Sequence, residues 1–301
     1  MKLSLDPNGW TVHATGLDPR SITDQQISIL RTAPYINVLL IIHDLPTLTT
    51  EEYREFSHKV FESVQNDNPT QEKRFLPGHN REILRVTGRR DEQGEIIGVF
   101  GMPGFLTWHC NQPGLPLDRR PDCLTLYSVE NCEGSVTAFT NSVLALKDLR
   151  LDPNAPAGLV NSLDQIEVNY KYNVDLDSDT EDFDYIGHTG RNKLVVKNKS
   201  GCEGILFGNL QSDSFHINDC AVPDETYKIW RSYLGQFLTQ KKYVYAHKWK
   251  NNEMIMNCQM LGQHARLPFA RIEQRLLWRI MGRVPAFDGS DPASKLNFET
   301  I

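Results

Sequence analysis

The chain has 301 residues, of which 40% are hydrophobic and 23% are charged. This composition is typical of a folded globular protein and excludes a fibrous or intrinsically disordered chain. Its 32 basic and 38 acidic residues give a formal net charge of −6, and no Lys/Arg block is long enough to follow a phosphate backbone. We therefore expect a single domain over residues 1–301 and no nucleic-acid partner.

Apolar runs along the chain are short. The most apolar of them, Val38 to Ile42, spans five residues, whereas a membrane-spanning helix needs about 20. A secretory signal would need about 7 to 15 apolar residues close to a basic N-terminus, and the sequence shows no such stretch. We expect a cytoplasmic protein without a membrane partner, and the composition leaves a homo-oligomer open.

The first third of the chain is expected to mix strand and helix. The apolar, β-branched run Ile36 to Ile42 is followed by loop-forming residues, which favours a buried strand. Thr49 and Glu52 then have the spacing of a capping box, and apolar residues recur on one helical face as far as Val64. The sequence therefore predicts a strand followed by a helix.

Beyond residue 80 the pattern changes to short strands. The predicted strands are Ile83–Val86, Ile96–Phe100, Leu106–Gln112, Cys123–Val129, Ile166–Tyr172, Lys193–Val196, Tyr243–Trp249, Met254–Met260 and Leu276–Met281. Residues 91–94 close a hairpin between the first two. Helices are predicted near Ser142–Leu149 and Asp224–Leu238. Many short strands with few helices indicate a β-sandwich, barrel or jelly roll.

Two of the nine histidines, His109 and His264, become candidates for metal binding when their neighbours are considered. A single histidine in a strand is more often a hydrogen-bonded core residue than a metal ligand. His109 and Asn111 are two positions apart, so an extended strand would point both side chains the same way. Both side chains could then reach one metal ion, although the residue types alone leave a core role open.

The segment around His109 resembles the first metal-binding motif of the taurine dioxygenase (TauD/TfdA) family of iron(II)- and 2-oxoglutarate-dependent dioxygenases. That motif reads Trp-His-x-Asp, and residues 108–111 of this chain read Trp-His-Cys-Asn. The second histidine of the family follows at a distance similar to that of His264, which lies 155 residues after His109. A family arginine follows the second histidine by fifteen positions, which here leads to Arg279.

Two further segments agree with this resemblance. Residues 188–196 resemble the family's His-Pro-x-Thr-Gly-x-Lys-x-Leu-x-Val stretch, and residues 134–140 resemble its Gly-Gly-x-Thr-x-Trp turn and strand. The N-terminal strand and helix also fit the family's opening, so the resemblance extends over nearly the whole chain. It implies a mainly β fold with flanking helices, a distorted double-stranded β-helix (a cupin-like jelly roll) that holds iron at one open end.

The resemblance also implies a metal centre, from which this chain departs at one ligand. His109 and His264 would be iron ligands, and Asn111 stands where the family has a carboxylate ligand. A neutral amide can offer an oxygen but cannot neutralise the charge of the metal, so we expect weaker iron binding. Residues 257–260 replace the family's Trp-Asp-Asn-Arg run, which alters the groups that would orient His264.

For the co-substrate, the resemblance assigns an arginine and a threonine. Arg279 would bind the distal carboxylate of 2-oxoglutarate, because a planar guanidinium can bind a carboxylate through two hydrogen bonds. Thr137 would add a hydroxyl hydrogen bond. Arg275 lies on the same strand face as Arg279 and is the alternative. Without the family spacing, a surface ion pair with a residue such as Glu273 would be the simpler interpretation of either arginine.

The leading hypothesis is therefore an oxidoreductase that uses iron(II), 2-oxoglutarate and O2 to oxidise a small molecule, releasing succinate and carbon dioxide. The alternative is a family member that has lost catalysis and serves as a binding or partner subunit, which Asn111 favours. A halogenase is a lesser alternative, because such relatives have Ala or Gly at the carboxylate position and an Asn side chain would crowd chloride. Residues 105–107 and the segment Gln65 to Asn80 would set the substrate, which the sequence does not identify.

Overall fold

The computed structural model describes residues 1–66, 74–171, 189–209 and 211–285, together with residues 296 and 298. Its helices are α1 (Asp24–Asn37), α2 (Thr50–Val60), α3 (Ser142–Leu149), α4 (Leu159–Ser162) and α5 (Asp224–Leu238). The strands of the first half are β1 (Lys2–Leu5), β2 (Thr11–Thr15), β3 (Leu39–Ile42), β4 (Ser63–Val64), β5 (Leu84–Val86), β6 (Leu106–His109), β7 (Cys123–Glu130) and β8 (Val136–Thr140). The strands of the second half are β9 (Ile166–Tyr170), β10 (Gly190–Lys193), β11 (Val195–Lys197), β12 (Glu203–Ile205), β13 (Ser212–Ile217), β14 (Cys220–Ala221), β15 (Val244–Lys248), β16 (Met254–Cys258), β17 (His264–Arg266) and β18 (Leu276–Arg283).

Two large sheets enclose the interior of the molecule. The larger sheet has the strand order β1-β2-β3-β16-β7-β18-β4, with β5 also paired to β18. The smaller sheet has the order β15-β8-β17-β6. Most neighbouring strands run antiparallel, whereas β2 and β3 are parallel. Leu124 of the larger sheet and Phe139 of the smaller one belong to the same hydrophobic cluster, so the two sheets pack against each other.

The larger sheet separates two hydrophobic cores. Along β3 all four side chains are buried, but Leu39 and Ile41 belong to the cluster between the sheets, while Leu40 and Ile42 belong to a cluster with residues of α1 and α2. This division follows from the alternation of side chains along a strand. A continuous apolar run such as β3 is therefore a strand that is covered on both faces.

Capping boxes mark the start of the two helices, α1 and α2, that cover this sheet. Thr49 and Glu52 form the predicted capping box at the start of α2. Thr23 and Gln26 form a second one at the start of α1, which was not predicted. Each box satisfies backbone N–H groups that would otherwise lack partners at a helix N-terminus. No helix in the described parts of the chain is long and apolar enough to cross a membrane.

The structure confirms the predicted positions of α3 and α5 and corrects other segments. The helix predicted from Thr49 to Val64 ends at Val60, with Ser63 and Val64 in β4, and the predicted strand Leu106–Gln112 ends at His109. Residues 36 and 37 were predicted as strand, but they end α1, and β3 starts only at Leu39. Residues 96–100 form isolated bridges from Ile96 to Arg90 and from Val99 to Val86 rather than a strand. Phe100 has a positive φ of 56°, which ends the extended conformation there. Of residues 188–196, His188 lies outside the described residues.

Candidate active site

A cavity lies between the two large sheets and opens to solvent. It has a volume of about 420 Å³, including its open mouth. The lining side chains are Val86, Phe100, Leu106, His109, Leu124, Leu126, Thr137, His264, Ala265, Arg266, Arg275, Leu277 and Arg279. The cavity thus brings together five of the six site residues predicted from the sequence.

The two histidines face each other across neighbouring strands. His109 is the last residue of β6 and His264 the first of β17, and the two are direct partners in the antiparallel pairing. Their ring centroids are 4.2 Å apart and the rings are tilted by 56°. Cross-strand partners on one face lie close enough for their side chains to share a ligand. The sheet register therefore places two imidazoles at one point of the cavity wall.

Both imidazoles are in the form that binds metals. Burial lowers the pKa of His109 to about 4, and burial, with smaller contributions from the neighbouring His109 and the positively charged Arg279, lowers the pKa of His264 well below its ordinary value. Nδ1 of His109 lies 2.8 Å from the carbonyl oxygen of Thr107, so it donates and leaves Nε2 as the unprotonated nitrogen. Nε2 of His109 and Nδ1 of His264 are buried and have no hydrogen-bond partner. These unpaired nitrogens fit a metal ion.

Asn111 does not line the cavity, and its amide is bound to protein groups. Its Oδ1 accepts a hydrogen bond from Nη1 of Arg279 at 3.2 Å. Its Nδ2 donates to Oε1 of Gln259 at 2.8 Å, and Nε2 of Gln259 donates in turn to Asn257 at 2.6 Å. Within the described ranges, no three His, Cys, Asp or Glu side chains are grouped so that they could hold a metal ion. Among the described residues, therefore, no carboxylate stands as the third ligand of a facial iron site.

The two candidate arginines are both buried, but they have different partners. Arg279 is 4% exposed, contacts Asn111 and lies with its guanidinium carbon 5.9 Å from the centroid of the Phe100 ring. Arg275 is 1% exposed, and its Nε and Nη1 are buried without a hydrogen-bond partner. Burial lowers the pKa of Arg275 to about 10, so it remains a cation at neutral pH. A buried cation with unpaired N–H groups fits an anionic ligand.

Arg266 is a cavity residue that the sequence analysis missed. Its guanidinium donates to the carbonyl oxygens of Phe100, Met102 and Gly104. These contacts hold the segment 100–104 at the cavity, where the Phe100 ring lies 5.8 Å from the ring of His109. No spacing in the sequence indicates this role, because the arginine binds backbone carbonyls and any residue types could supply them.

Thr137 lies on β8 and is 5% exposed. Its Oγ1 accepts a hydrogen bond from Nε1 of Trp249 at 2.9 Å. Trp249 was predicted only as the last residue of a strand. The threonine that the resemblance assigned to the co-substrate is therefore also hydrogen-bonded to a protein side chain, the indole of Trp249.

Comparison with known proteins places this site in a family. The model of the family described as taurine catabolism dioxygenase TauD, TfdA family matches residues 5–281 of this chain. Pentalenolactone F synthase of Streptomyces avermitilis is 27% identical over 233 residues, covering 72% of this chain and 71% of that protein.

Solved structures share the fold at low sequence identity. A taurine dioxygenase from Burkholderia xenovorans has a TM-score of 0.68 at 17% identity, over 97% of this chain and 95% of that one. The structure of AAD-2 in complex with Mn(II) and N-oxalylglycine has a TM-score of 0.68 at 15% identity, over 95% of this chain and 100% of that one. The fold class, enzyme class and cofactors predicted from the sequence are thus confirmed, whereas the roles of individual residues remain predictions. The chain belongs to the TauD/TfdA family and is an iron(II)- and 2-oxoglutarate-dependent dioxygenase with a cupin-like double-stranded β-helix.

Proposed function

We propose that this dioxygenase oxidises a small, largely apolar molecule, by hydroxylation or a related C–H oxidation, with release of succinate and carbon dioxide. The observation that supports the proposal is one cavity with two neutral imidazoles and a buried guanidinium, all with unpaired nitrogens. Iron(II) and 2-oxoglutarate, when bound there, would supply the activation of O2. The side chains of the protein bind and orient these groups.

His109 and His264 are the metal ligands in this proposal. Their adjacent rings, low pKa values and unpaired nitrogens support the assignment. We place no protein ligand at the third position, because Oδ1 of Asn111 accepts a hydrogen bond from Arg279 and Asn111 is not part of the cavity wall. Water would complete the coordination there, and the missing carboxylate charge would weaken metal binding.

Arg275, rather than Arg279, binds the distal carboxylate of 2-oxoglutarate in this proposal. Removing a guanidinium from water costs free energy that an anionic partner must offset, and Arg275 has two buried N–H groups without a partner. Arg279 already donates to Asn111. Thr137 lines the same cavity and supplies a hydroxyl next to the site. Burial of the Arg275 and Thr137 side chains strengthens their interactions with a carboxylate.

The walls of the cavity support an apolar substrate. Six of the lining residues are large hydrophobic side chains: Val86, Phe100, Leu106, Leu124, Leu126 and Leu277. Such walls bind a ligand by burial of apolar surface and exclude water from it.

A non-catalytic family member is the second candidate, since Asn111 is an amide and the described residues supply no carboxylate ligand in its place. The test is succinate formation from 2-oxoglutarate under air, with Fe(II) and a panel of apolar small molecules, for the natural chain and for His109→Ala. We expect succinate from the natural chain and only background from the variant. Equal background from both proteins would support the non-catalytic function, and a chlorinated product in the presence of chloride would support a halogenase.

A further inference from the structure

The hydroxyl of Thr137 is oriented by one hydrogen bond. Nε1 of Trp249 donates to Oγ1 of Thr137 at 2.9 Å. An indole N–H can only donate, whereas a threonine hydroxyl has one proton to donate and two lone pairs that accept. The indole therefore occupies a lone pair of Oγ1, and the hydroxyl proton must point away from the indole ring.

That proton has no acceptor among the described residues of the protein, since the hydrogen bond from Trp249 is the contact that Thr137 makes through its side chain. By contrast, the buried hydroxyl of Thr125 donates to the carbonyl oxygen of Ile280 at 3.2 Å. Buried hydroxyl groups almost always find a partner. Because Thr137 lines the cavity, its proton is available to a ligand bound there.

Trp249 is held firmly in the position that makes this contact. It is 2% exposed, and its backbone N–H donates to the carbonyl oxygen of Ser135 at 3.0 Å. The ring of His247 packs edge-on against the indole, with centroids 4.7 Å apart and an interplanar angle of 86°. His247 is also the cross-strand partner of Thr137 in the pairing of β15 with β8. Close packing on several sides leaves the indole little freedom to rotate.

The ring of His247 is fixed in turn by Glu253. Oε2 of Glu253 lies 3.0 Å from Nε2 of His247 and accepts the backbone N–H of Lys250, while Oε1 lies 2.7 Å from Nδ1 of His43. Burial alone would raise the pKa of Glu253, but the hydrogen bonds from His247, His43 and Lys250 lower it to about 2. Glu253 is therefore a carboxylate that accepts from both imidazoles and joins β3 to the turn that precedes β16.

We infer that Trp249 is a positioning residue for 2-oxoglutarate: its indole N–H turns the Thr137 hydroxyl so that the hydroxyl donates to the distal carboxylate that Arg275 binds. This inference rests on the proposed function, which takes Thr137 and Arg275 as the groups that contact this carboxylate. Trp249 acts through Thr137 and does not touch the ligand. The loss of one such hydrogen bond should weaken binding about three- to tenfold.

The test measures binding of 2-oxoglutarate and of oxalate to the Mn(II)-loaded protein by calorimetry. Oxalate chelates a metal but has no distal carboxylate, so it reports on the metal end of the site alone. We expect Trp249→Phe to weaken 2-oxoglutarate about three- to tenfold and to leave oxalate unchanged. Thr137→Val should weaken 2-oxoglutarate at least as much, and the double variant should bind no more weakly than Thr137→Val, because the two residues act through one hydroxyl.

Trp10→Phe is the matched control, because Trp10 is also buried but its Nε1 has no hydrogen-bond partner. Should Trp249→Phe fail to fold, the sulfur analogue of tryptophan at position 249 keeps the ring shape and lacks the N–H. Unchanged 2-oxoglutarate affinity in the Trp249 variant, with weaker binding in Thr137→Val, would overturn the inference and leave the proposed function intact. The inference would also be overturned if Trp249→Phe lost as much affinity for oxalate as for 2-oxoglutarate. If Thr137→Val and Arg275→Met both bind 2-oxoglutarate normally, the assignment of these two residues to the distal carboxylate, on which the inference rests, fails as well.

Discussion

Arg279 donates a hydrogen bond from Nη1 to Oδ1 of Asn111 across 3.2 Å. The oxygen that could replace the family's carboxylate ligand is thus used by a cation of the same site. The amide nitrogen is used as well, since it donates to Gln259. Asn111, which stands where the family has a carboxylate and does not line the cavity, is therefore hydrogen-bonded to protein side chains at both ends of its amide.

Replacement of Asn111 by aspartate should tighten metal binding. An aspartate has the shape of asparagine and adds the negative charge that divalent metal sites of this type use. We expect Asn111→Asp to raise Mn(II) affinity about tenfold or more, measured by calorimetry without oxygen. Asn111→Ala is the control and should leave the affinity within about twofold, if Asn111 is not a ligand. A large loss of affinity in Asn111→Ala would instead show that the amide oxygen binds the metal.

Removal of either histidine should abolish metal binding. In the proposed site each imidazole supplies one of two protein ligands, and a site with a single ligand cannot hold the ion against water. His109→Ala and His264→Ala should each lose stoichiometric iron, measured by elemental analysis after anaerobic loading and desalting. His216→Ala, on β13 of another sheet, is the control and should retain the iron of the natural chain. Iron retained in both active-site variants would show that the metal assignment is wrong.

Substitutions of Arg275 and Arg279 should have different effects on the affinity for 2-oxoglutarate. Arg275→Met should reduce the binding free energy of 2-oxoglutarate by about 2 to 5 kcal/mol, because a buried carboxylate loses its charged partner. The same variant should raise the melting temperature of the ligand-free protein, since it replaces a buried unpaired cation by an apolar side chain. Arg279→Met is the comparison and should have a smaller effect on 2-oxoglutarate. The opposite pattern, measured by calorimetry, would transfer the role to Arg279.

The ionised carboxylate of Glu253 should stabilise the folded protein at pH values above about 4.5. Its pKa falls from an ordinary value of 4.5 to about 2 in the folded protein, so the folded state favours the carboxylate. The resulting stabilisation, about 3 kcal/mol, is complete above pH 4.5 and is lost as the pH falls from 4.5 towards 2. We expect Glu253→Gln to lower the free energy of unfolding at pH 7 and to approach the natural chain only as the pH falls to about 2. Urea titrations over this range measure the difference.

The control for that experiment is Glu225→Gln. Glu225 is 86% exposed and pairs with Lys228 on the surface of α5, so its substitution should change the free energy of unfolding by less than about 0.5 kcal/mol. A difference between the natural chain and Glu253→Gln that is independent of pH would show that Glu253 acts through packing rather than through its charge.

Local patterns were sufficient to locate two helices. The predicted bounds of α3 and α5 are those of the structure, because each has one apolar face and a clear starting signal. The apolar run before His43 was harder to interpret, since buried strands and buried helix ends have the same apolar character. There α1 runs on to Asn37 and ends where Val38 has a positive φ of 68°.

Contacts between distant parts of the chain could not be predicted from periodicity. The strand pattern places Arg275 and Arg279 on one face, and both do line the cavity, but it cannot show which of them is left without a partner. Glu253 and His43 are 210 positions apart and meet only because β16 pairs with β3. The family spacing predicts His109 and His264, whereas their direct cross-strand pairing depends on a register that the whole sheet sets.

The division of the larger sheet between two cores has a consequence for insertions and deletions. On β7, Leu124 and Leu126 face the cavity, whereas Cys123 and Tyr127 face the helices. A single residue inserted ahead of this strand would exchange the two faces along its whole length. A tyrosine and a cysteine would then enter the cavity wall, and both cores would lose their packing at once. The register of β7, more than any one of its side chains, therefore determines which residues line the cavity.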